Sequence, residues 1–103
     1  MANTNPPKRG QAFSGSFCLA DAAIAGRFKV NPTLAAGDFQ VDKDQGGYAN
    51  FATLPTVLPA GGCEVYFTLS ATEMTADIVT LIGRDQTTPW EWCDWNLTIL
   101  TTA

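Results

Sequence analysis

The feature that most constrains this chain is apolar residues alternating one by one in short runs closed by turn residues. In the stretch 63–69, Cys63, Val65, Phe67 and Leu69 fall on one side, and Glu64, Tyr66 and Thr68 on the other. A repeat of two is the signature of a half-buried strand. It recurs at 12–20, where Phe13, Gly15, Phe17 and Leu19 oppose Ser14, Ser16 and Cys18. At 38–42, Phe39 and Val41 oppose Gln40 and Asp42. Further strands are predicted at 27–30, 48–51 and 78–83, with a last one at 90–101. In that last run, Glu91, Cys93, Trp95, Leu97 and Ile99 alternate with Trp92, Asp94, Asn96 and Thr98.

Turn signals separate these runs. Asn31-Pro32 breaks the chain, and Asp44-Gln45-Gly46-Gly47 reads as a hairpin in which glycine supplies positive φ. Pro55 and Pro59 bracket a loop that ends at Ala60-Gly61-Gly62, and 85–89 is another turn. The helical signal is confined to Ser70-Ala71-Thr72-Glu73, a capping box that predicts one helical turn over 71–75, crossing between sheets. The expected fold is all-β: an antiparallel β-sandwich of about seven short strands, Ig-like or jelly-roll-like, with a small barrel as the alternative.

A chain of 103 residues makes one domain. Residues 1–10, with Asn3, Asn5, Pro6, Pro7 and Gly10, read as an extended N-terminal arm, and 11–103 as the sandwich. Hydrophobic residues make up 46%, which excludes a disordered chain, while only 16% are charged, too few to cover an isolated surface well. No apolar run is long enough to span a bilayer, and the start shows no secretory signal, so folding in a cytosol is expected. Charge is uneven: residues 1–30 carry Lys8, Arg9, Arg27 and Lys29 against Asp21, whereas the rest carries Lys43 and Arg84 against nine acids. A basic arm reaching an acidic neighbouring subunit fits this split. Nucleic acid does not, since the basic residues form no dense patch and the acidic body repels phosphate.

Histidine is absent, which removes the commonest general base and the usual nucleophile pairs. Cys18, Cys63 and Cys93 are odd in number and contain no C-x-x-C, which supports neither a disulfide framework nor a zinc site. Cys63 and Cys93 are expected to pack as small apolar residues. Asp42-Lys43-Asp44 begins like a calcium loop but fails at Gly46 and at Thr53, where ligands are required, and a hairpin explains it without metal. Asp85, Glu91 and Asp94 lie near three tryptophans, a mixture that suits a sugar cleft. Glu91 and Asp94 fall on opposite faces of an alternating strand, so no enzyme and no cofactor is expected. Asn96-Leu97-Thr98 matches the glycosylation triplet incidentally, mid-strand.

Trp90 and Trp92 share one face of the last run and Trp95 takes the other. One face is then core, and the other is covered by another element, forms a subunit interface, or stacks on sugar rings. The candidate assembly interface is Lys8, Arg9, Phe13, Tyr48, Trp90, Trp92 and Trp95.

Taken together, NPTLAAGDFQVDKDQGGYANFATLPTVLPAGG (31–62), LSATEMTAD (69–77) and PWEWCDWNLTI (89–99) resemble a group of short bacteriophage and prophage virion-associated proteins. The shared layout is a Gly-Asp-led strand, a Lys-Asp-Gly-Gly hairpin, a strand entered from Pro-x-Gly, a Leu-Ser-Ala-x-Glu-Met turn, and a Glu-Trp-x-Asp strand ending in Ile-x-Thr. It covers about two-thirds of the 103 residues. Gln45, inserted in the hairpin, and the added Trp95 depart from it. The resemblance implies a small β-sandwich structural module of a tailed phage particle. The expected role is a capsid decoration or cement protein that stabilises the particle by subunit contacts. It would be homo-oligomeric, bound to the major capsid protein or other virion proteins, with no membrane partner, in a virion assembled in the host bacterial cytoplasm. Within the class the alternative is a neck, tail or fibre-adaptor component. Outside it, the rivals are a carbohydrate-binding module gripping host glycans through Trp90, Trp92 or Tyr48, and a small host-directed regulator.

Overall fold

The computed structural model describes residues 6–103. Its strands are β1 (Phe13–Cys18), β2 (Phe39–Lys43), β3 (Tyr48–Asn50), β4 (Thr56–Val57), β5 (Glu64–Leu69), β6 (Ile78–Gly83) and β7 (Trp95–Leu100). They form two antiparallel sheets, one ordered β1-β5-β4 and the other β3-β2-β6-β7. The pairs β2-β3, β4-β5 and β6-β7 are sequence neighbours, while β1-β5 and β2-β6 are closed over long separations. Among the described residues no ladder joins the sheets, so the architecture is the β-sandwich and not the barrel.

Register follows the alternation. Phe13, Gly15 and Phe17 of β1 stand opposite Leu69, Phe67 and Val65 of β5, which puts both apolar rows on one face. In the second sheet, Val41 stands opposite Leu81, and Val79 and Leu81 opposite Ile99 and Leu97. Burying these rows against each other, apart from the exposed Leu97, is the main drive to fold. Leu19, Val65, Leu69, Met74, Val79 and Leu81 are completely buried.

Aromatic rings fill the space between the sheets. Phe17 of β1 stacks on Trp95 of β7, with centroids 3.8 Å apart, and Phe39 of β2 stacks on Trp92 at 5.3 Å. Two glycines make room for them. A Cβ on Gly15 would lie 2.9 Å from Phe67, and one on Gly83 would lie 2.8 Å from Phe39 and 3.3 Å from Trp95. Register explains both, since Gly15 faces Phe67 and Gly83 lies between Phe39 and Trp95.

Several expectations are corrected. The stretch 55–59 is not simply a loop: Thr56 and Val57 pair with Tyr66 and Val65 as an edge strand, where flanking prolines remove no needed donor. The stretch 27–30 makes only a bridge, Ala20 to Phe28. In the β2-β3 hairpin, Gly47 supplies positive φ (119°) as expected, and Asp44 (φ 52°) and Gln45 (φ 61°) take the left-handed conformation as well. Asp44 is held there by its own side chain, whose Oδ1 accepts from the amides of Asp77 (3.1 Å) and Ile78 (3.0 Å). Asp42 Oδ1 accepts from the Gly47 amide at 2.9 Å. The calcium-like aspartates thus serve backbone N–H groups.

The last strand begins at Trp95, not Trp90. Residues 91–93 leave β6 and pair instead with 20–22: Ala22 N–H donates to Glu91 O (3.0 Å) and Cys93 N–H to Ala20 O (2.9 Å). This change of partner breaks the alternation, so Trp92 and Trp95 both point inward.

The described part of the arm is docked on its own domain. Arg9 N–H donates to Thr102 O and Thr102 N–H to Pro7 O, both at 2.9 Å, and Gly10 N–H donates to Met74 O at 3.0 Å. Arg9 also pairs with Asp77 at 3.2 Å. Residues 7–10 therefore lie along the C-terminal segment of the same chain. The rest of the expected arm, Met1–Asn5, lies outside the described residues.

The crossover from β5 to β6 forms as the capping box requires, as a turn and not a helix. Glu73 N–H donates to Ser70 Oγ (3.1 Å), and Ser70 N–H donates back to Glu73 Oε1 (2.9 Å). Glu73 Oε2 takes a third bond, from the Ala52 amide at 3.0 Å. Because Glu73 is buried, Glu73→Ala leaves two amides without acceptors and should lower stability by about 2 kcal/mol in urea unfolding. Glu73→Gln, which keeps one acceptor oxygen, should recover part of that loss.

Candidate functional site

The β6-β7 connection, residues 84–94, is too long for a tight hairpin and is organised by carboxylates. Asp38, 2% exposed, accepts from the Ala35 amide through Oδ2 (2.9 Å) and the Gln86 amide through Oδ1 (3.1 Å). Asp38 O also accepts from Arg84 N–H at 2.8 Å. Asp85 Oδ1 accepts from Thr87 N–H (3.1 Å) and Oδ2 from Glu91 N–H (2.8 Å). Glu91 Oε1 accepts from Thr33 N–H at 3.0 Å. Asp85 and Glu91, read as candidates for sugar chemistry, therefore hold loop amides. Asp94 pairs with Arg84 at 3.3 Å on the exposed surface.

This loop and the 20–22 segment enclose a groove of about 770 Å³. Trp90, Trp92, Cys93, Arg84, Gln86 and Asp94 are among the residues that line it. Trp90 is 65% exposed and Trp92 1% exposed. Trp92 is thus corrected from interface candidate to core: its ring stacks on Phe39 and its indole N–H donates to Thr33 O at 3.3 Å. Cys93 is also corrected, being exposed where packing was expected. Cys63 is half-buried. Among the described residues, no group of three or more His, Cys, Asp or Glu is placed to hold a metal ion.

The other candidates do not converge. Lys8 and Arg9 lie along the C-terminal segment. Phe13 is half-buried against Phe67, and Trp95 half-buried on Phe17. Tyr48 is exposed on edge strand β3.

A second surface escapes the reading by alternation. The chain leaves β1, turns, and returns so that Ala20 bridges Phe28 and Asp21 bridges Trp92. Asp21 N–H donates to Arg27 O (2.8 Å) and Lys29 N–H to Leu19 O (2.7 Å). This ribbon, 19–29, and its exit present Ile24, Phe28 and Val30 to solvent, each more than half exposed, and Ala22 of its other leg lines the same groove as Trp90. The available signal in the sequence is large apolar residues interleaved with Arg27 and Lys29.

The fold and these surfaces define a small antiparallel β-sandwich carrying an exposed apolar ribbon beside an aromatic-lined groove. Comparison with protein-family models, curated proteins and solved structures finds no match.

Proposed function

We propose that this chain is a non-enzymatic structural protein of a tailed-bacteriophage virion, a capsid decoration protein that stabilises the particle through subunit contacts. The observation that carries the assembly reading is the apolar ribbon, with Ile24, Phe28, Val30 and neighbouring Trp90 all exposed. They are among ten large apolar residues left exposed, counted over the described residues, in a chain with 16% charged residues. Several large apolar side chains left in solvent along one short ribbon suit a contact site. Arg27 and Lys29 on the same ribbon suit an acidic partner, and the acid-rich remainder of a second copy offers one. Placement in a virion rests on the likeness of the layout from Asn31 to Thr101 to short phage virion-associated proteins.

The test is copy number in purified particles, by quantitative mass spectrometry against the major capsid protein. Hundreds of copies on separated heads support decoration. Hundreds on tails, or about a dozen in all, move the protein to tail tube, neck or fibre attachment, and absence from particles overturns the virion reading. The paired change Phe28→Ser and Val30→Ser should leave the fold intact and reduce particle occupancy by about tenfold or more. Unchanged occupancy removes the ribbon from assembly.

Trp90 favours one second reading, glycan binding, because an exposed indole stands at a groove lined by Arg84, Gln86 and Asp94. Since Trp92 is buried, a fluorescence shift lost in Trp90→Phe would support it, and no shift across a glycan panel would remove it.

A further inference from the structure

Cys18 ends β1, and Cys63 stands directly before β5, the strand with which β1 pairs. Their sulfurs are 3.7 Å apart, in contact, and both residues are half-buried, so a small oxidant can reach them. The third thiol, Cys93, is exposed elsewhere, against the Asp21 carbonyl at 3.9 Å. We propose that Cys18 and Cys63 are a covalent modification site, closing to an intramolecular disulfide when the protein meets an oxidising, disulfide-containing medium.

The chemistry balances with a low-molecular-weight disulfide such as oxidised glutathione. One protein thiolate attacks a glutathione sulfur, breaking its S–S bond and releasing one glutathione thiolate. The second protein thiolate attacks the protein sulfur of the mixed disulfide, forming the Cys18–Cys63 bond and releasing the second glutathione. Two electrons pass from the cysteine sulfurs to the oxidant, and the two thiol protons end on the released thiolates. Burial, then the neighbouring Cys63 and Glu64, push the Cys18 thiol up from its ordinary range. A thiol so placed is a slow nucleophile, which suits a staple made once and not a turning-over redox centre.

The position gives the bond a consequence. The apolar ribbon leaves the sheet at Leu19, immediately after Cys18, and its exit is tied beside Cys63, where Asn31 N–H donates to Gly62 O at 2.7 Å. A bond between Cys18 and Cys63 therefore clamps the root of the ribbon. It also closes a long loop containing β2, β3 and β4, which restricts the unfolded chain.

The test equilibrates the full chain with oxidised glutathione, with reduced protein as reference. The expected product carries a Cys18–Cys63 link by peptide mapping, with two hydrogens lost at that pair and glutathione confined to the exposed Cys93, and has a Tm raised by about 10 °C. Cys93→Ser should keep the link and the gain. Cys18→Ser and Cys63→Ser, whose folding is checked against reduced wild type, should lose both. Cys18 and Cys63 both still open to maleimide after equilibration, a link through Cys93, or a Cys18–Cys63 link that forms only in unfolding concentrations of urea would each overturn the proposal.

Discussion

Trp92→Ala should destabilise the domain by about 3–5 kcal/mol, whereas Trp90→Ala should change stability by less than about 0.5 kcal/mol. The two residues are two positions apart and chemically identical, so only their surroundings separate them. Trp92 is 1% exposed, lies nearly parallel to Phe39 with an interplanar angle of 13°, and donates its indole N–H to Thr33 O. Removing it opens a cavity beside the aromatic layer, strips a face from Phe39 and leaves the Thr33 carbonyl without that donor. A small domain holds only about 5–15 kcal/mol in total, so the variant should show a large fall in urea midpoint. Trp90 has most of its surface in water, and truncating it exposes little. Equal losses for the two variants would contradict the burial of Trp92.

Asp38→Ala should cost about 3 kcal/mol, through polar groups left unpaired and not through lost apolar area. The carboxylate is almost fully buried, and each oxygen accepts from an amide of a different loop, Ala35 and Gln86. Alanine leaves both N–H groups without partners, at about 1–3 kcal/mol each. Asp38→Asn keeps one acceptor but turns an NH₂ toward a donor, and should fall between alanine and wild type. Amide hydrogen exchange gives the local test: Gln86 and Ala35 should lose protection before the strands of the core do. Wild-type protection of both amides in Asp38→Ala would show that the carboxylate does not hold this connection.

Elements built from local chemistry are legible in the order of the residues. β1 and β5 follow from alternation because a period of two leaves an extended chain only one way to put its apolar row inside. Ser70 and Glu73 announce their turn because the bonds that make it lie within four residues. The Gly46-Gly47 hairpin is legible in its place and in the positive φ of Gly47, but not in the left-handed Asp44 and Gln45. Asp44 is stabilised there by amides more than thirty positions away, at Asp77 and Ile78.

The candidate site is less legible, for the same reason. Extending the alternation of β7 backward misplaces Trp90, Trp92 and Trp95, because 91–93 pair with 20–22, a segment distant in sequence. Cys18 and Cys63 look unrelated in the chain and meet only because β1 lies beside β5. Lys8 and Arg9 read as a free basic arm, and their seat beside Thr102 and Asp77 depends on where the C-terminus emerges.

The order of residues is enough for the class: short strands paired antiparallel into an all-β sandwich, with few charged residues. Each of these depends on side-chain spacing and turn chemistry within a few residues. Only the folded arrangement separates the core tryptophan from the one that meets solvent, brings two cysteines into contact, and stands the apolar ribbon out from the sheet. These depend on the partner each backbone segment finds, and unpaired buried N–H and C=O groups make that choice costly to evade.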